Sequence, residues 1–245
     1  MVTGASSGIG AATARLLAKE GWRVLVVARR ADRLDELASE LDGVVAVPAD
    51  LTDADAPQRV REAVERHGGR LELLVNNAGA EWRSTFAAGG YENVRRTMAV
   101  NFDGVVRLTE ALLPLLRASA PSSVVNVSSV AGRVGRPSNS AYAASKFALA
   151  GWSEAVGVEE EPHGVHVGQV LPGFISTEGF PHQRLRAGLH TRWLVSSPER
   201  VAKAIAAAGP GGRHEVYVPR FYAMVPKLRH LFPRLSRRAL GGGRV

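Results

Sequence analysis

Runs of β-branched residues alternate with helical patterns along almost the whole chain, and this alternation restricts the fold more than any other feature. Extended runs are predicted at Arg23–Ala28, Val44–Pro48, Leu71–Asn76, Ser123–Ser129, Val165–Leu171 and His214–Val218. Between them, apolar residues recur at spacings of three and four, as in Leu34, Leu37 and Leu41 or Val105, Leu108, Leu112 and Leu115. Strict β–α alternation requires crossover connections. It therefore predicts an α/β fold, a parallel sheet of about seven strands with helices on both faces. Ser197-Pro198-Glu199 reads as a helix start, with a hydroxyl N-cap, proline in the first position and an acid in the first turn.

Composition narrows the chemistry. The 245 residues, 45% hydrophobic and 22% charged, suit one soluble domain over residues 1–219 whose core needs no disulfide or metal. The absence of cysteine excludes thiol catalysis and cysteine–zinc sites. No apolar run approaches the ~18 residues of a membrane span, and no basic-then-apolar signal follows Met1, so a cytoplasmic protein is expected. The net charge is +8, but the chain from Arg220 onward contributes seven bases and no acid (Arg220, Lys227, Arg229, Arg234, Arg237, Arg238 and Arg244). That tail's +7 leaves only +1 of the +8 for the body, which argues against nucleic acid as a partner.

Thr3-Gly4-Ala5-Ser6-Ser7-Gly8-Ile9-Gly10 stands between a first strand and a helix over Ile9–Glu20. Gly4 suits a tight turn, Gly8 lets a pyrophosphate approach the backbone, and Gly10 lets helix and strand pack closely. The helix start offers unpaired N–H groups to phosphate. Only Met1, Val2 and Thr3 precede the turn, about half a usual strand, which implies a start set late or a shortened strand of low local stability. A nucleotide-triphosphatase loop would need a lysine after the glycines, and there is none. Gly4-Ala5-Ser6-Ser7-Gly8 also fits a hydrolase nucleophile elbow, but three preceding residues cannot supply its oxyanion donor.

Further motifs follow in order. Asp50-Leu51 comes after the third strand, Asn76-Asn77-Ala78-Gly79 ends the fourth, and Asn101 lies in the long helix beyond it. Ser129 ends the fifth strand, followed by Tyr142, Lys146 and Pro172-Gly173-Phe174-Ile175-Ser176-Thr177. Over roughly Val2 to Val218 this resembles the short-chain dehydrogenase/reductase family. The resemblance implies a Rossmann-like doubly wound sheet and an oxidoreductase that interconverts a ketone or aldehyde and an alcohol.

Tyr142 and Lys146, four apart on one predicted helix (Ala141–Gly151), share a face. An isolated tyrosine, with a pKa of ~10, is a poor base at neutral pH, and a neighbouring ammonium stabilises its phenolate. Tyr142 is thus expected to act as general acid/base, and Ser129 to donate to the substrate oxygen. The resemblance implies that Lys146 also holds the nicotinamide ribose and that Asn101 fixes a water relaying protons. It further implies that Asp50 accepts the adenine amino group, that Asn76, Asn77, Ala78 and Gly79 line the adenosine half, and that Pro172, Gly173, Ile175 and Thr177 close over the nicotinamide. Ser129, rather than Ser128, has the family's spacing to the tyrosine. Each residue alone would pass as structural, since serines end strands and Tyr/Lys pairs decorate helices. The ordered set would not.

The second strand ends in Ala28-Arg29-Arg30, without the acid that would bind a ribose 2′-hydroxyl, so Arg29 and Arg30 point to NADP rather than NAD. Residues 178–195 correspond to the family's substrate lid. Leu185, Leu189 and Trp193 make one apolar face suited to an apolar substrate, and Arg184, Arg186 and Arg192 lie off it. Glu81-Trp82 and Arg133 to Pro137 would supply other walls. The chain lacks the Val-Asp-Gly-Gly ending of the family's 3-oxoacyl reductases, which disfavours that activity. Residues 220–245 place Phe221, Met224, Leu228, Leu231 and Leu235 among the basic residues, interrupted by Pro226 and Pro233. This pattern fits packing on the body or a second subunit, reversible contact with a membrane surface, or a disordered tail. A homodimer or homotetramer is a family expectation. The competing reading is a non-catalytic NADP-binding regulatory or scaffold protein, whose usual mark, a lost tyrosine or lysine, is missing here.

Overall fold

Val24 and Val26 of the second strand face one side of the sheet and Leu25 and Val27 the other, and all four are buried. A strand covered on both faces belongs to a parallel sheet sandwiched between helices, and the computed structural model, which describes residues 1–177 and 192–241, has that architecture. The strands of the main sheet are β1 (Val2–Thr3), β2 (Val24–Ala28), β3 (Val44–Pro48), β4 (Leu73–Asn76), β5 (Ser122–Val127), β6 (Val165–Pro172) and β9 (Glu215–Val218). All pair in parallel, in the order β3-β2-β1-β4-β5-β6-β9. β7 (Phe174–Ile175) and β8 (Val195–Ser196) form a small second sheet.

The connecting helices are α1 (Gly8–Lys19), α2 (Ala31–Glu40), α3 (Ala56–Arg66), α4 (Phe86–Met98), α5 (Gly104–Ala118), α6 (Ser140–Glu160) and α7 (Pro198–Ala208). One core layer joins Ala14, Leu17, Leu34, Val26, Val75 and Ile205. The other joins Val27, Val60, Leu74, Leu108, Leu112 and Leu116. The expected stripes supply both, with Leu41 and Leu115 at their half-buried edges.

The strand order reverses at β1, whose neighbours are β2 and β4, and a cleft opens there beyond the carboxyl ends of the strands. β1 is two residues long and wholly buried, and pairing extends past it through Met1, whose carbonyl accepts from Val75 N–H at 2.9 Å.

Several expectations shift locally. The fifth strand stops at Val127, and Ser129 instead caps a short 3-10 turn, Val130–Gly132, accepting from Ala131 N–H at 3.1 Å. Asn101 lies not in a regular α-helix but in a π turn, Ala99–Asp103, that joins α4 to α5. Pro226 does not interrupt its helix, α8 (Met224–Leu231), because it sits in the first turn, where its missing N–H is not needed. The break falls at Phe232, and Pro233 opens α9 (Pro233–Gly241). The expected lid face at Leu185 and Leu189, and Arg184 and Arg186, lie outside the described residues. Trp193 sits in a 3-10 turn, Arg192–Leu194. No helix among the described residues is long and apolar enough to cross a membrane.

Candidate active site

The cleft at the switch point has a volume of about 460 Å³. The glycine turn forms one end and Ser129, Tyr142 and Lys146 another.

The turn is held by long-range contacts. The Asn77 amide donates to the Thr3 carbonyl at 2.9 Å, and the Thr3 hydroxyl accepts from the N–H groups of Asn77 and Ala78 at 3.0 Å each. Gly4 (φ 65°) and Gly8 (φ 55°) adopt left-handed conformations that favour glycine. A side chain at Gly10 would overlap the Gly4 carbonyl oxygen, which bears out close packing as its role. The Ser7 hydroxyl does not cap α1. It accepts instead from the Arg30 guanidinium at 3.0 Å, which also contacts the Ser6 hydroxyl at 3.1 Å.

Arg29 stands alongside, 3.8 Å from Asp50. Burial works against the Asp50 carboxylate, but Thr52, donating from both N–H and hydroxyl, and Arg29 together hold its pKa below the usual value. Asp50 therefore caps a turn with one oxygen and faces Arg29 with the other. Leu51, Asn77, Ala78 and Gly79 line the cleft, as do Ile9, Pro172, Gly173, Ile175 and Thr177. Asn76 does not. It is buried, its amide donating to Thr109 and Asn126, and ties β4 to α5 and β5.

At the other end, α6 carries both Tyr142 and Lys146. Lys146 is 4% exposed, donates to the Val127 carbonyl at 2.8 Å and lies 5.8 Å from the centre of the Tyr142 ring. Burial pushes its pKa down to about 8. Burial pushes the Tyr142 phenol up to about 12, opposed by the adjacent Ser129 hydroxyl and by Arg136, and reinforced by Glu81. The protein's own groups thus do not bring Tyr142 towards neutrality, because desolvation of the phenolate outweighs its neighbours. Ser128 donates to the Lys146 carbonyl at 3.2 Å, leaving Ser129 as the hydroxyl beside the tyrosine.

A Cβ at Gly79 would stand 3.2 Å from Asn101 Oδ1 and 3.7 Å from Lys146 Nζ, so both side chains approach that glycine. The Asn101 amide is occupied, accepting from Ala80 N–H at 2.8 Å and donating to the Ala80 carbonyl and to Ser145.

Sequence reasoning missed the Arg30 clamp on the serines, the Val127 carbonyl under Lys146, and Tyr222, whose ring packs so closely on Gly173 that a side chain there would overlap it. Only the glycine at 173 hinted at the last. Asn139 also lines the cleft; its place three residues before Tyr142 was the available signal.

Residues 1–186 match the short chain dehydrogenase family. A 3-oxoacyl-[acyl-carrier-protein] reductase of Thermotoga maritima is 35% identical, over 84% of this chain and 87% of its own. An NADPH-dependent 1-acyldihydroxyacetone phosphate reductase of Schizosaccharomyces pombe is 36% identical, over 73% of this chain and 60% of its own. A solved short-chain dehydrogenase from Streptomyces avermitilis superposes with a TM-score of 0.80 at 31% identity, covering 97% of this chain and 96% of that one. With sheet order, cleft and relatives in agreement, the chain belongs to the short-chain dehydrogenase/reductase family, NAD(P)-dependent oxidoreductases acting on carbonyl and alcohol groups.

Proposed function

We propose that the chain is an NADP(H)-preferring reductase that interconverts a ketone or aldehyde and an alcohol, with Tyr142 as general acid/base. The observation that carries this reading is the cleft itself, which runs from Arg29 and Arg30 at the glycine turn to Ser129, Tyr142 and Lys146. The residues suit the cofactor: the left-handed glycines and the uncapped start of α1 make a cradle for a pyrophosphate, and the Arg30 guanidinium beside Ser6 and Ser7, with Arg29 lining the same cleft, suits a 2′-phosphate. Gly4, Ser6, Ser7, Gly8 and Ile9 would hold the phosphates, with Thr3 and Gly10 outside the cleft lining and fixing the turn from behind, and with Asp50, Leu51, Asn77, Ala78 and Gly79 along the adenosine. Pro172, Gly173, Ile175 and Thr177 would cover the nicotinamide. When bound, the cofactor supplies or takes up the hydride.

Ser129 orients the substrate oxygen, Tyr142 gives it a proton in reduction, and Lys146 holds the ribose hydroxyls. Asn101 is assigned to the proton route beside Lys146. The raised pKa of Tyr142 suits a proton donor at neutral pH. An apolar substrate is supported by Phe174 and Trp82 in the cleft wall, and by the acyl groups in the names of two relatives. The reading also takes the protein as a homodimer or homotetramer, with exposed Phe86, Tyr91 and Val158 available for contact between copies. The basic tail is read as a peripheral contact surface.

The test is calorimetric titration with NADPH and NADH at matched salt, followed by NADPH oxidation over a panel of carbonyl compounds. NADPH is expected to bind more tightly than NADH. Arg29→Ala is expected to weaken NADPH roughly tenfold, about the worth of one charged phosphate contact, and to leave NADH little changed. Equal affinities for the two cofactors in the unaltered protein would overturn the preference, and no binding of either would overturn the function.

A further inference from the structure

Met224, Leu228 and Leu231 recur at helical spacing on α8, and Phe232 and Leu235 extend the row across the break into α9. In the folded chain these five remain 47–67% exposed. Soluble surfaces rarely leave so continuous an apolar row uncovered. Lys227, Arg234, Arg237 and Arg238 flank it, all exposed, and no acid follows Arg220. Glu154 and Glu215, at the tail's anchor, are already paired with Arg133.

We infer that this face docks on an anionic lipid bilayer, the apolar row entering the headgroup boundary and the cations neutralising the lipid phosphates. Charge selects the occupant. A second copy meeting the row symmetrically would set its cations against the same cations, whereas an anionic surface matches them. The mixture of apolar and basic residues on short surface helices is the composition of interfacial segments.

The face begins two residues after Tyr222, which backs the cleft. Arg229 donates to the Arg133 carbonyl at 2.6 Å and stacks 5.6 Å from the Phe147 ring, fixing α8 to the body. Exposed Trp193 packs against Phe221 at 4.7 Å between ring centres, and buried Tyr222 donates to the Leu194 carbonyl while its ring backs Gly173 at the cleft wall. Docking through this face would hold the Gly173 wall of the cleft near the bilayer, which suits an apolar carbonyl compound drawn from the lipid phase. That substrate class rests on the reductase reading, whereas the docking surface does not.

The experiment is flotation of the full chain with vesicles of phosphatidylcholine alone and of phosphatidylcholine mixed with phosphatidylglycerol, at low and high salt. Binding to the anionic vesicles only, weakened by salt, is expected. Arg234→Glu/Arg237→Glu/Arg238→Glu should weaken it at least about tenfold, since each basic residue near such a surface contributes several-fold. Leu228→Asp/Leu231→Asp should do the same, with circular dichroism showing both variants folded. Failure to float with anionic vesicles, or equal flotation with both kinds, overturns the proposal. So does a dimer in sedimentation that the leucine variant dissolves while the wild type ignores vesicles, because a second copy then covers the row. Flotation without carbonyl reduction would leave the docking surface standing and sink the reductase reading alone.

Discussion

Tyr142→Phe is expected to lower hydride transfer by roughly 10²–10⁴-fold, the usual contribution of a positioned proton donor, while NADPH affinity stays within a few-fold. The substitution removes one oxygen and keeps the ring packed against the cleft, so a loss of rate can be assigned to the proton and not to the fold. Burial of the two groups then sets the pH dependence. Tyr142, pushed up to about 12, keeps its proton through the neutral range, so reduction does not decline there for want of a donor. Alcohol oxidation needs the phenolate and should climb with pH up to about 8, where loss of the Lys146 ammonium begins to oppose it. Burial pushes the Lys146 pKa down to about 8, so its ammonium is expected below that pH. Above it the ammonium is lost, and with it the positive charge that, in the proposed mechanism, supports the phenolate. A fall in reduction on the alkaline side of about 8 would therefore report Lys146. Pre-steady-state rates in both directions across pH, with wild type and variant, separate these effects; unchanged turnover in Tyr142→Phe would sink the mechanism.

Gly10→Ala should destabilise the protein by about 3 kcal/mol, the scale of severe overpacking, and lower its melting temperature by roughly 6–12 °C. The added methyl overlaps the Gly4 carbonyl and would sit 2.7 Å from the Asn77 amide, so the atoms that must yield are backbone and a side chain already holding the turn. NADPH binding should fall with it, because the phosphate cradle is what moves. Gly151→Ala is the contrast. Gly151 is exposed in the interior of α6 with nothing within 4 Å of the added methyl, and the change should stabilise by about 0.5–1 kcal/mol through helix propensity. Urea unfolding of both variants decides the matter. A Gly10 variant as stable as wild type would mean that the turn is looser than its contacts indicate.

The alternation of extended and helical runs was legible because burial on two faces leaves a local trace in every strand and every helical stripe. Val24 to Val27 and Leu108 to Leu116 carry that trace in the residues themselves. The glycine turn was legible for a similar reason, since left-handed backbone at Gly4 and Gly8 favours one residue type. Element ends were less clear. Ser129 looked like strand because valines precede it, yet a turn supported by its own hydroxyl takes over after Val127. Asn101 looked helical because the π turn around it keeps helical dihedrals while shifting register, which composition does not record.

The sequence by itself determined the parallel α/β architecture, the turn that suits a pyrophosphate, and the helix face shared by Tyr142 and Lys146, since these follow from local periodicity and backbone preference. Only the tertiary structure decided what surrounds them. Arg30 reaches across 23 residues to Ser7, Lys146 finds the Val127 carbonyl 19 residues away, and Tyr222 closes behind Gly173. The same packing raises the pKa of Tyr142 when a nearby lysine alone would lower it. Desolvation and long-range contact depend on which distant segments meet, and that information exists only once the chain has folded.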